Sequence, residues 1–397
     1  MFEHVDAYPG DPILTLNEDF INDPRSGKVN LSIGVYLNEA GKLPIMSAVL
    51  KAETTLLKVL GTRPYLPMEG APGYRKEVQQ LLFGDAHQAV AEMRIATVQT
   101  IGGSGALKVG ADFLAAYFGK SQVWVSDPTW DNHHAIFAGA GFVVKRYPYY
   151  SPDTQYVDFQ ALQAALQTIP AGDIVLLHAC CHNPTGADLS EQQWRELATI
   201  IRDRSLIPFF DIAYQGFGGG IDDDAFAIRH FASEGIPCLV ASSFSKNFSL
   251  YGERCGSLNV VCDTPDQVHN VLGQLKAVVR RNYSSPPTHG SRIVSMVLES
   301  SELRAEWIDE LGAMRARIKA MREGLHAQVQ GKRPERNFNY LLRQKGMFSF
   351  TGLSAAQVRR LREEFAIYLV GSGRVCMAAL TQKTLAPVAE AIAQVLD

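Results

Sequence analysis

The sequence predicts an α/β protein built on a mostly parallel sheet whose faces are covered by helices. From about residue 95 onward, apolar strand-like segments alternate regularly with helical segments, as in parallel strands joined by crossover helices. Three successive strand segments also end in polar side chains. With 397 residues, the chain is longer than one hydrophobic core usually holds, so a second, smaller α/β unit is expected.

Composition excludes several classes of function. Lys+Arg 38 against Asp+Glu 41 gives a net charge of -3 without a basic stripe, so nucleic acid and membrane surfaces are not expected partners. The six cysteines include no CxxC pair, which predicts buried thiols and neither a disulfide framework nor a metal site. No stretch resembles a signal peptide or reaches the ~18 apolar residues of a membrane span, so the expected location is the cytoplasm.

The chain begins with an arm. Residues 1–30 contain five proline or glycine breakers around one short helical pattern, so this segment is expected to pack on another surface, such as a second subunit. A short strand and a turn at Gly34 follow, and then a helix is predicted from Ser47 to about Leu60.

Residues 94–118 read as a strand, a glycine-rich turn and a helix that starts near Ala106. Gly102, Gly103 and Gly105 would let a ligand approach the backbone, and the first amides of the helix would point at it. This order of elements is typical of phosphate sites. A tight connection without any ligand has the same appearance, so both interpretations stay open here.

Polar side chains then follow successive strands. Trp130 lies just beyond one strand end, where it could stack on a flat ring or simply pack. The apolar run before HNPTG delivers Asn183, and the next strand delivers Asp211 and Tyr214. A carboxylate in so apolar a strand must be paired, either with an arginine or with a protonated pyridine nitrogen.

The third of these strands delivers Lys246, in the stretch SSFSKNFSLYGERCG. A lysine reacts with carbonyl groups when its amine loses its proton. Ser243, Ser245 and Arg254 are donors that suit a phosphate, so this combination suggests pyridoxal phosphate. A solvated surface lysine is the alternative that the stretch alone leaves open.

The C-terminal third is predicted to contain a helix over about residues 265–281, a break at Asn-Tyr-Ser-Ser-Pro-Pro, and a second long helix over about 291–329 with a bend near Gly312. Arg280 lies at the break. The remaining residues read as a small α/β unit.

These motifs together resemble the class I aminotransferases, in the branch of aspartate and aromatic amino acid aminotransferases. The resemblance covers essentially the whole chain and is carried by YLPMEG, GGSGALKVGADF, WVSDPTWDNHHAIFAGAGF, CCHNPTGADL, DIAYQGF, SFSKNFSLYGER, RNYSSPP and GMFSFTGLSAAQV. It implies a fold-type I pyridoxal-phosphate transferase with a large domain on a seven-stranded, mostly parallel sheet. The implied boundaries are 1–44 for the arm and part of the small domain, 45–312 for the large domain, and 313–397 for the rest of the small domain.

The resemblance also implies residue roles. Lys246, Asp211 and Tyr214 would be catalytic, with Lys246 attaching the cofactor and moving the proton at the substrate α-carbon. Cofactor contacts are implied for Tyr65, Gly103, Ser104, Trp130, His133, Asn183, Asp211, Tyr214, Ser243, Ser245, Lys246 and Arg254. Substrate contacts are implied for Gly34, Trp130, Asn183, Arg280 and Arg374. Tyr65 and Arg280 would come from the second subunit of a homodimer with shared active sites.

The implied substrates are small amino acids and 2-oxo acids. Arg280 suits the distal carboxylate of glutamate and aspartate, whereas an apolar entrance suits an aromatic ring. Leu37, Leu43, Ser104 and Ser285 look like the choices of the aromatic branch, so tyrosine and phenylalanine are the expected donors and aspartate the main rival. A lyase or decarboxylase would not need two carboxylate-binding arginines, and an inactive regulatory module would not need to keep Lys246.

Overall fold

The computed structural model describes residues 2–8, 10–59 and 61–396. Two compact units are present: a larger one of Pro44–Ala316 with Gln344–Gly346, and a smaller one of Met1–Leu43, Arg317–Arg343 and Met347–Asp397. None of the described helices is both long enough and apolar enough to cross a membrane. All six cysteines are buried and free, as the sequence predicts.

The described α-helices are α1 (Pro12–Asn22), α2 (Ser47–Val59), α3 (Pro72–Phe83), α4 (Gln88–Ala91), α5 (Gly102–Phe118), α6 (Asp131–Ala138), α7 (Phe159–Leu166), α8 (Glu191–Asp203), α9 (Phe226–Ser233), α10 (Pro265–Asn282), α11 (His289–Glu299), α12 (Ser301–Lys332), α13 (Tyr340–Arg343), α14 (Ala355–Phe365) and α15 (Gln382–Val395). The described strands are β1 (Val29–Asn30), β2 (Ile95–Ile101), β3 (Val123–Asp127), β4 (Val144–Pro148), β5 (Tyr150–Ser151), β6 (Tyr156–Val157), β7 (Ile174–His178), β8 (Ile207–Ile212), β9 (Cys238–Ser243), β10 (Cys255–Val261), β11 (Phe348–Phe350), β12 (Ile367–Tyr368) and β13 (Arg374–Cys376). Helix α2 matches the prediction from Ser47, and Leu60 lies outside the described residues.

The larger unit is built on a seven-stranded sheet with the order β2-β10-β9-β8-β7-β3-β4. Strand β10 is antiparallel to both of its neighbours, and the other neighbouring pairs are parallel. The predicted mostly parallel, seven-stranded sheet is therefore confirmed.

The central strands are buried along their whole length, which explains their continuous apolar sequences. Their register aligns the carboxyl ends: His178 of β7 pairs with Asp211 of β8, and Ile212 of β8 pairs with Ser242 of β9. Because neighbouring parallel strands end at one edge, the residues that follow β7, β8 and β9 come together there.

The predicted start of α5 near Ala106 is wrong. Strand β2 ends at Ile101 and α5 begins at Gly102, so the glycines lie in the first turn of the helix. Gly102 has a φ of +64°, and a Cβ there would lie 2.6 Å from Nη2 of Arg254. A glycine therefore lets the chain turn from strand to helix within one residue, where a longer loop was expected.

Helix α12 continues through Gly312, so the bend predicted there is not a break in the helix. The break lies earlier, at Ser300, whose backbone is extended with a ψ of 116°. Ser300 Oγ accepts from the amide of Leu303 at 3.3 Å, so this serine begins α12 as an N-cap.

The smaller unit contains two pairs of short strands, β1 with β12 in parallel and β11 with β13 in antiparallel orientation. Helices α14 and α15 begin with capping boxes at Ser354 and Thr381, which define where each helix starts. The pairing of Phe350 with Arg374 places that arginine at the start of β13.

Candidate active site

Lys246 follows the carboxyl end of β9 and lies over an aromatic ring. Its Nζ is 5.0 Å from the ring centroid of Tyr214, which follows β8. Tyr214 is buried and Lys246 is partly buried. The aromatic face and the partial burial both reduce the hydration of the lysine amine.

Asp211 is buried beside these two residues and is hydrogen-bonded to a histidine. His133 Nε2 donates to Asp211 Oδ2 at 3.0 Å, and the other ring nitrogen, Nδ1, shares a hydrogen bond of 2.8 Å with Thr129 Oγ1. Burial alone would raise the pKa of Asp211, but the His133 hydrogen bond and the charges of His133 and Lys246 bring this pKa below its ordinary value. Asp211 is therefore ionised at neutral pH.

Two further histidines extend this cluster. His178 lies 5.1 Å from the His133 ring and 4.3 Å from the His182 ring, measured between centroids. Burial lowers the pKa of His178 to about 3 and the pKa of His182 well below its usual value, so both rings are neutral. Neither ring nitrogen of His178 has a hydrogen-bond partner among the described residues.

A second group of donors surrounds the start of α5. The first amides of α5 donate no hydrogen bond to a side chain of the N-cap residue, Ile101. Nearby, Ser243 Oγ lies 3.2 Å from Ser245 Oγ, and Arg254 Nη1 donates to Ser245 Oγ at 3.3 Å. A Cβ on Gly103 would lie 3.2 Å from Cβ of Ser243, so this glycine lets the helix start approach the serines closely. Ser104 follows it in the first turn of α5.

These residues fit pyridoxal phosphate by the chemistry of their donors. The unblocked helix amides, two hydroxyls and a guanidinium suit a dianionic phosphate. Asp211, ionised and buried, suits a protonated pyridine nitrogen, and Lys246 suits a carbonyl group. Trp130 ends the loop before α6, with its ring 5.2 Å from that of His133, and it offers an aromatic face. Asn183 is buried in the loop after β7.

Tyr65 and Arg280 lie apart from this cluster, in a solvent-filled cleft. With Ser284, Ser285 and neighbouring residues they line a cleft of about 960 Å³. Tyr65 is 94% exposed. Arg280 is also exposed, and its Nη1 donates to Ser284 Oγ at the C-terminus of α10.

Gly34 and Arg374 belong to the smaller unit, where both contact one aromatic ring. The Arg374 guanidinium carbon lies 4.4 Å from the centroid of Phe348, and Nη2 donates to the carbonyl of Ser32 at 2.6 Å. A Cβ on Gly34 would lie 2.8 Å from Cζ of the same ring. The phenylalanine therefore supports the buried arginine, and glycine at position 34 leaves room for it.

Several residues of these clusters were not predicted from the sequence: Thr129, His178 and Phe348. Thr129 could have been suspected because it lies only four residues before His133, just ahead of the start of α6. The others carry no local signal, since their contacts join segments that are distant in sequence or depend on the shape of a loop.

Comparison with known proteins agrees with this geometry. The sequence model of the family "Aminotransferase class I and II" matches residues 26–392. The aromatic-amino-acid aminotransferase of Escherichia coli (strain K12) is 58% identical over 397 residues, which cover 100% of both chains. An aspartate aminotransferase of Pseudomonas aeruginosa is 49% identical over 396 residues, again covering 100% of both chains.

A solved structure shows the same similarity in three dimensions. The crystal structure of the aromatic-amino-acid aminotransferase of Burkholderia pseudomallei, covalently bound to pyridoxal phosphate, matches with a TM-score of 0.98 and 52% sequence identity. The match covers 100% of each chain.

Proposed function

The chain belongs to the class I and II aminotransferases, and on that premise we propose that it is a pyridoxal-phosphate-dependent aminotransferase of aromatic amino acids. It transfers the amino group of tyrosine or phenylalanine, and also of aspartate, to 2-oxoglutarate in a ping-pong reaction. The observation that carries this proposal is the cluster at the carboxyl edge of the sheet. There Lys246 lies over Tyr214, next to the buried Asp211 that His133 keeps ionised.

The cofactor residues divide by the part of the cofactor that they hold. The amides of Gly103 and Ser104, with Ser243, Ser245 and Arg254, hold the phosphate. Asp211 holds a proton on the pyridine nitrogen, with His133 orienting its carboxylate. Trp130 stacks on the ring, while Asn183 and Tyr214 donate hydrogen bonds to its phenolic oxygen. When bound, the cofactor supplies an electron sink for negative charge at the substrate α-carbon.

Lys246 has two tasks. Its amine attaches the cofactor at rest, and after the substrate displaces it, Nζ takes the proton from the substrate α-carbon and holds it for return. Such an amine must be neutral when it acts. Nζ lies 5.0 Å from the centroid of the Tyr214 ring, and the side chain is half-buried, so the amine is held at the carboxyl edge of the sheet.

Two arginines bind the substrate carboxylates. Arg374 forms a bidentate pair with the α-carboxylate, helped by the backbone at Gly34. Phe348 holds the Arg374 guanidinium in place. Arg280 binds the distal carboxylate of aspartate, glutamate or 2-oxoglutarate.

The preference for aromatic donors rests on the entrance residues Leu37, Leu43, Ser104 and Ser285. Apolar leucines lower the cost of burying a ring, and the small serines leave room for it. The 58% identity to the Escherichia coli aromatic-amino-acid aminotransferase supports the same preference.

We propose further that the active unit is a homodimer in which each site takes Tyr65 and Arg280 from the second subunit. Supporting this, Phe2, Val5 and Tyr8 of the arm are exposed apolar side chains that a second chain would cover. We propose residues 45–312 as the large domain and residues 1–44 with 313–397 as the small one, whereas the two compact units of the structure divide at Leu43/Pro44 and Ala316/Arg317, with Gln344–Gly346 in the larger unit. Six buried free thiols support a cytoplasmic location.

The proposed reaction is tested by following the ¹⁵N-labelled amino group from the donor amino acid to 2-oxoglutarate. Holoenzyme is incubated with ¹⁵N-tyrosine and 2-oxoglutarate, and a matched reaction contains ¹⁵N-aspartate. We expect ¹⁵N-glutamate and the aromatic 2-oxo acid in equal amounts. Release of ammonia or carbon dioxide would indicate a lyase or decarboxylase, and no turnover with either donor would indicate a regulatory module. Turnover with aspartate alone would make the protein an aspartate aminotransferase.

A further inference from the structure

The loop that carries Asn183 is held by one carboxylate. Asp188 Oδ2 accepts a hydrogen bond from the backbone amide of Cys181, and Oδ1 accepts one from the amide of His182, both at 2.8 Å. These amides belong to the two residues that precede Asn183. We propose that Asp188 is a positioning residue for Asn183, because its carboxylate fixes the backbone that aims the Asn183 amide. This inference rests on the proposed function, in which Asn183 contacts the cofactor.

The backbone at this point needs support. Cys181 has a φ of +51°, a left-handed conformation that residues other than glycine adopt only when their surroundings impose it. Asp188 provides such surroundings, since its carboxylate accepts hydrogen bonds from the amide of Cys181 and from the amide of the next residue, His182. The thiol of Cys181 also lies 3.9 Å from the carbonyl oxygen of Tyr214, the other residue assigned to the phenolic oxygen.

The rest of the loop is already fixed by side chains. The His182 ring shares hydrogen bonds of 2.9 Å with Ser126 Oγ and 2.8 Å with Thr185 Oγ1, and it stacks on Tyr149 with centroids 4.1 Å apart. These contacts hold the ring of His182 but not the peptide groups before it. The orientation of those peptide groups therefore depends on Asp188.

Asp188 is half-buried, and its surroundings shift its pKa. Burial raises its pKa to about 6, while the two backbone hydrogen bonds act in the opposite direction. A buried carboxylate disfavours the folded state unless its oxygens are bonded. Here both oxygens have amide partners, and a neutral side chain of the same size cannot accept at two oxygens.

A double-mutant cycle tests the proposal. Asp188→Asn places an NH₂ group against one of the backbone amides and removes that hydrogen bond. In the holoenzyme, the pH midpoint of the absorbance change of the bound cofactor reports on hydrogen bonds to its phenolic oxygen. We expect Asp188→Asn to raise this midpoint by about one pH unit, in the direction of Asn183→Ala, since a donor that stabilised the anion is misplaced. The double variant should match Asn183→Ala alone.

Asp173→Asn is the matched control. Asp173 is buried and, like Asp188, accepts two N–H bonds, both of 2.9 Å, from the Gln122 amide and Trp124 Nε1 at the opposite end of β7. Both single variants should lower the melting temperature, but only Asp188→Asn should shift the absorbance midpoint. If Asp188→Asn does not fold, Asp188→Glu is the second variant. Glutamate keeps both carboxylate oxygens but displaces them by one methylene group, so it should raise the absorbance midpoint by less than one pH unit.

An unshifted midpoint in a folded Asp188 variant, or shifts that add in the double variant, would overturn the positioning role. Those results leave the proposed function intact. A wild-type protein that binds no pyridoxal phosphate would instead overturn the proposed function, and this inference with it.

Discussion

The larger unit contains two functional regions of opposite character. At the carboxyl edge of its sheet, Asp211, Tyr214 and Asn183 are buried, and Asp211 has its histidine partner within the same chain. In the cleft after α10, Tyr65 is 94% exposed and Arg280 is exposed as well. The contacts that fix Asp211 therefore lie within one chain. The second region consists of side chains that a single chain leaves in solvent.

This difference separates cofactor binding and proton transfer from the contributions that each chain makes to a second subunit. The buried edge has the groups needed to bind the cofactor and move a proton, so changes there should affect every substrate alike. In the proposed homodimer the exposed cleft gives Arg280 and Tyr65 to the site of the second subunit, so a change at Arg280 should affect selectivity and a change at Tyr65 should affect cofactor binding.

Lys246→Ala should have the largest effect of all. Removing both the attachment point and the proton carrier should lower kcat by at least ~10⁴-fold for tyrosine and aspartate alike. The phosphate donors remain, so the purified variant should still contain pyridoxal phosphate, measured after acid release. Lys120→Ala, at an exposed position after α5, is the control and should keep wild-type turnover. Normal transamination by the Lys246 variant would contradict the central assignment.

Arg280→Ala should reduce activity on aspartate much more than activity on tyrosine. Loss of the distal ion pair should reduce kcat/KM for aspartate by about 100-fold, whereas the tyrosine half-reaction should change by less than about fivefold. Equal losses for both donors would show that the cleft does not determine selectivity.

Mixed subunits test whether the cleft serves a second chain. Lys246→Ala and Arg280→Ala proteins are each almost inactive on aspartate. Refolded together at equal amounts, they should recover activity at about a quarter of the sites, because half of the dimers are mixed and each mixed dimer has one intact site. Recovery of no activity would place Arg280 and Lys246 in the site of the same chain.

The smallest expected effect concerns acid stability of the buried edge. His178 has a pKa of about 3 when folded, against 6.5 when unfolded, so the unfolded state binds the extra proton and stability falls as the pH drops through this range. In the apoprotein, His178→Gln should reduce the slope of unfolding free energy between pH 6 and 4 by about 1 kcal/mol per pH unit. His289→Gln, in the exposed cleft, should keep the wild-type slope. An unchanged slope in His178→Gln would show that burial of this ring does not limit acid stability.

The same contrast explains what the sequence could reveal. A buried strand that ends in a polar residue is a local pattern, so DIVLLHACC and LIPFFDIAYQGF were sufficient to bring Asn183 and Asp211 to one edge of the sheet. Lys246 followed by the same logic from CLVASSFSK. These predictions needed only the strand period and the rule that parallel strands end together.

Other features depend on packing that no local pattern records. Asp188 looks like an ordinary loop aspartate until the loop folds back so that its carboxylate meets two amides. Phe348 of β11 contacts Arg374 of β13, and these two residues are 26 positions apart in the sequence. The start of α5 at Gly102 was missed because it depends on how closely Arg254 packs.

The most direct test of the account is a single half-reaction. Purified holoenzyme is mixed with tyrosine in the absence of any 2-oxo acid, and the absorbance of the bound cofactor is followed beside an identical titration with aspartate. Tyrosine should bleach the absorbance with stoichiometric release of its 2-oxo acid, at an efficiency at least comparable to that of aspartate. Bleaching by aspartate alone would contradict the aromatic preference, and bleaching by neither would contradict transamination itself.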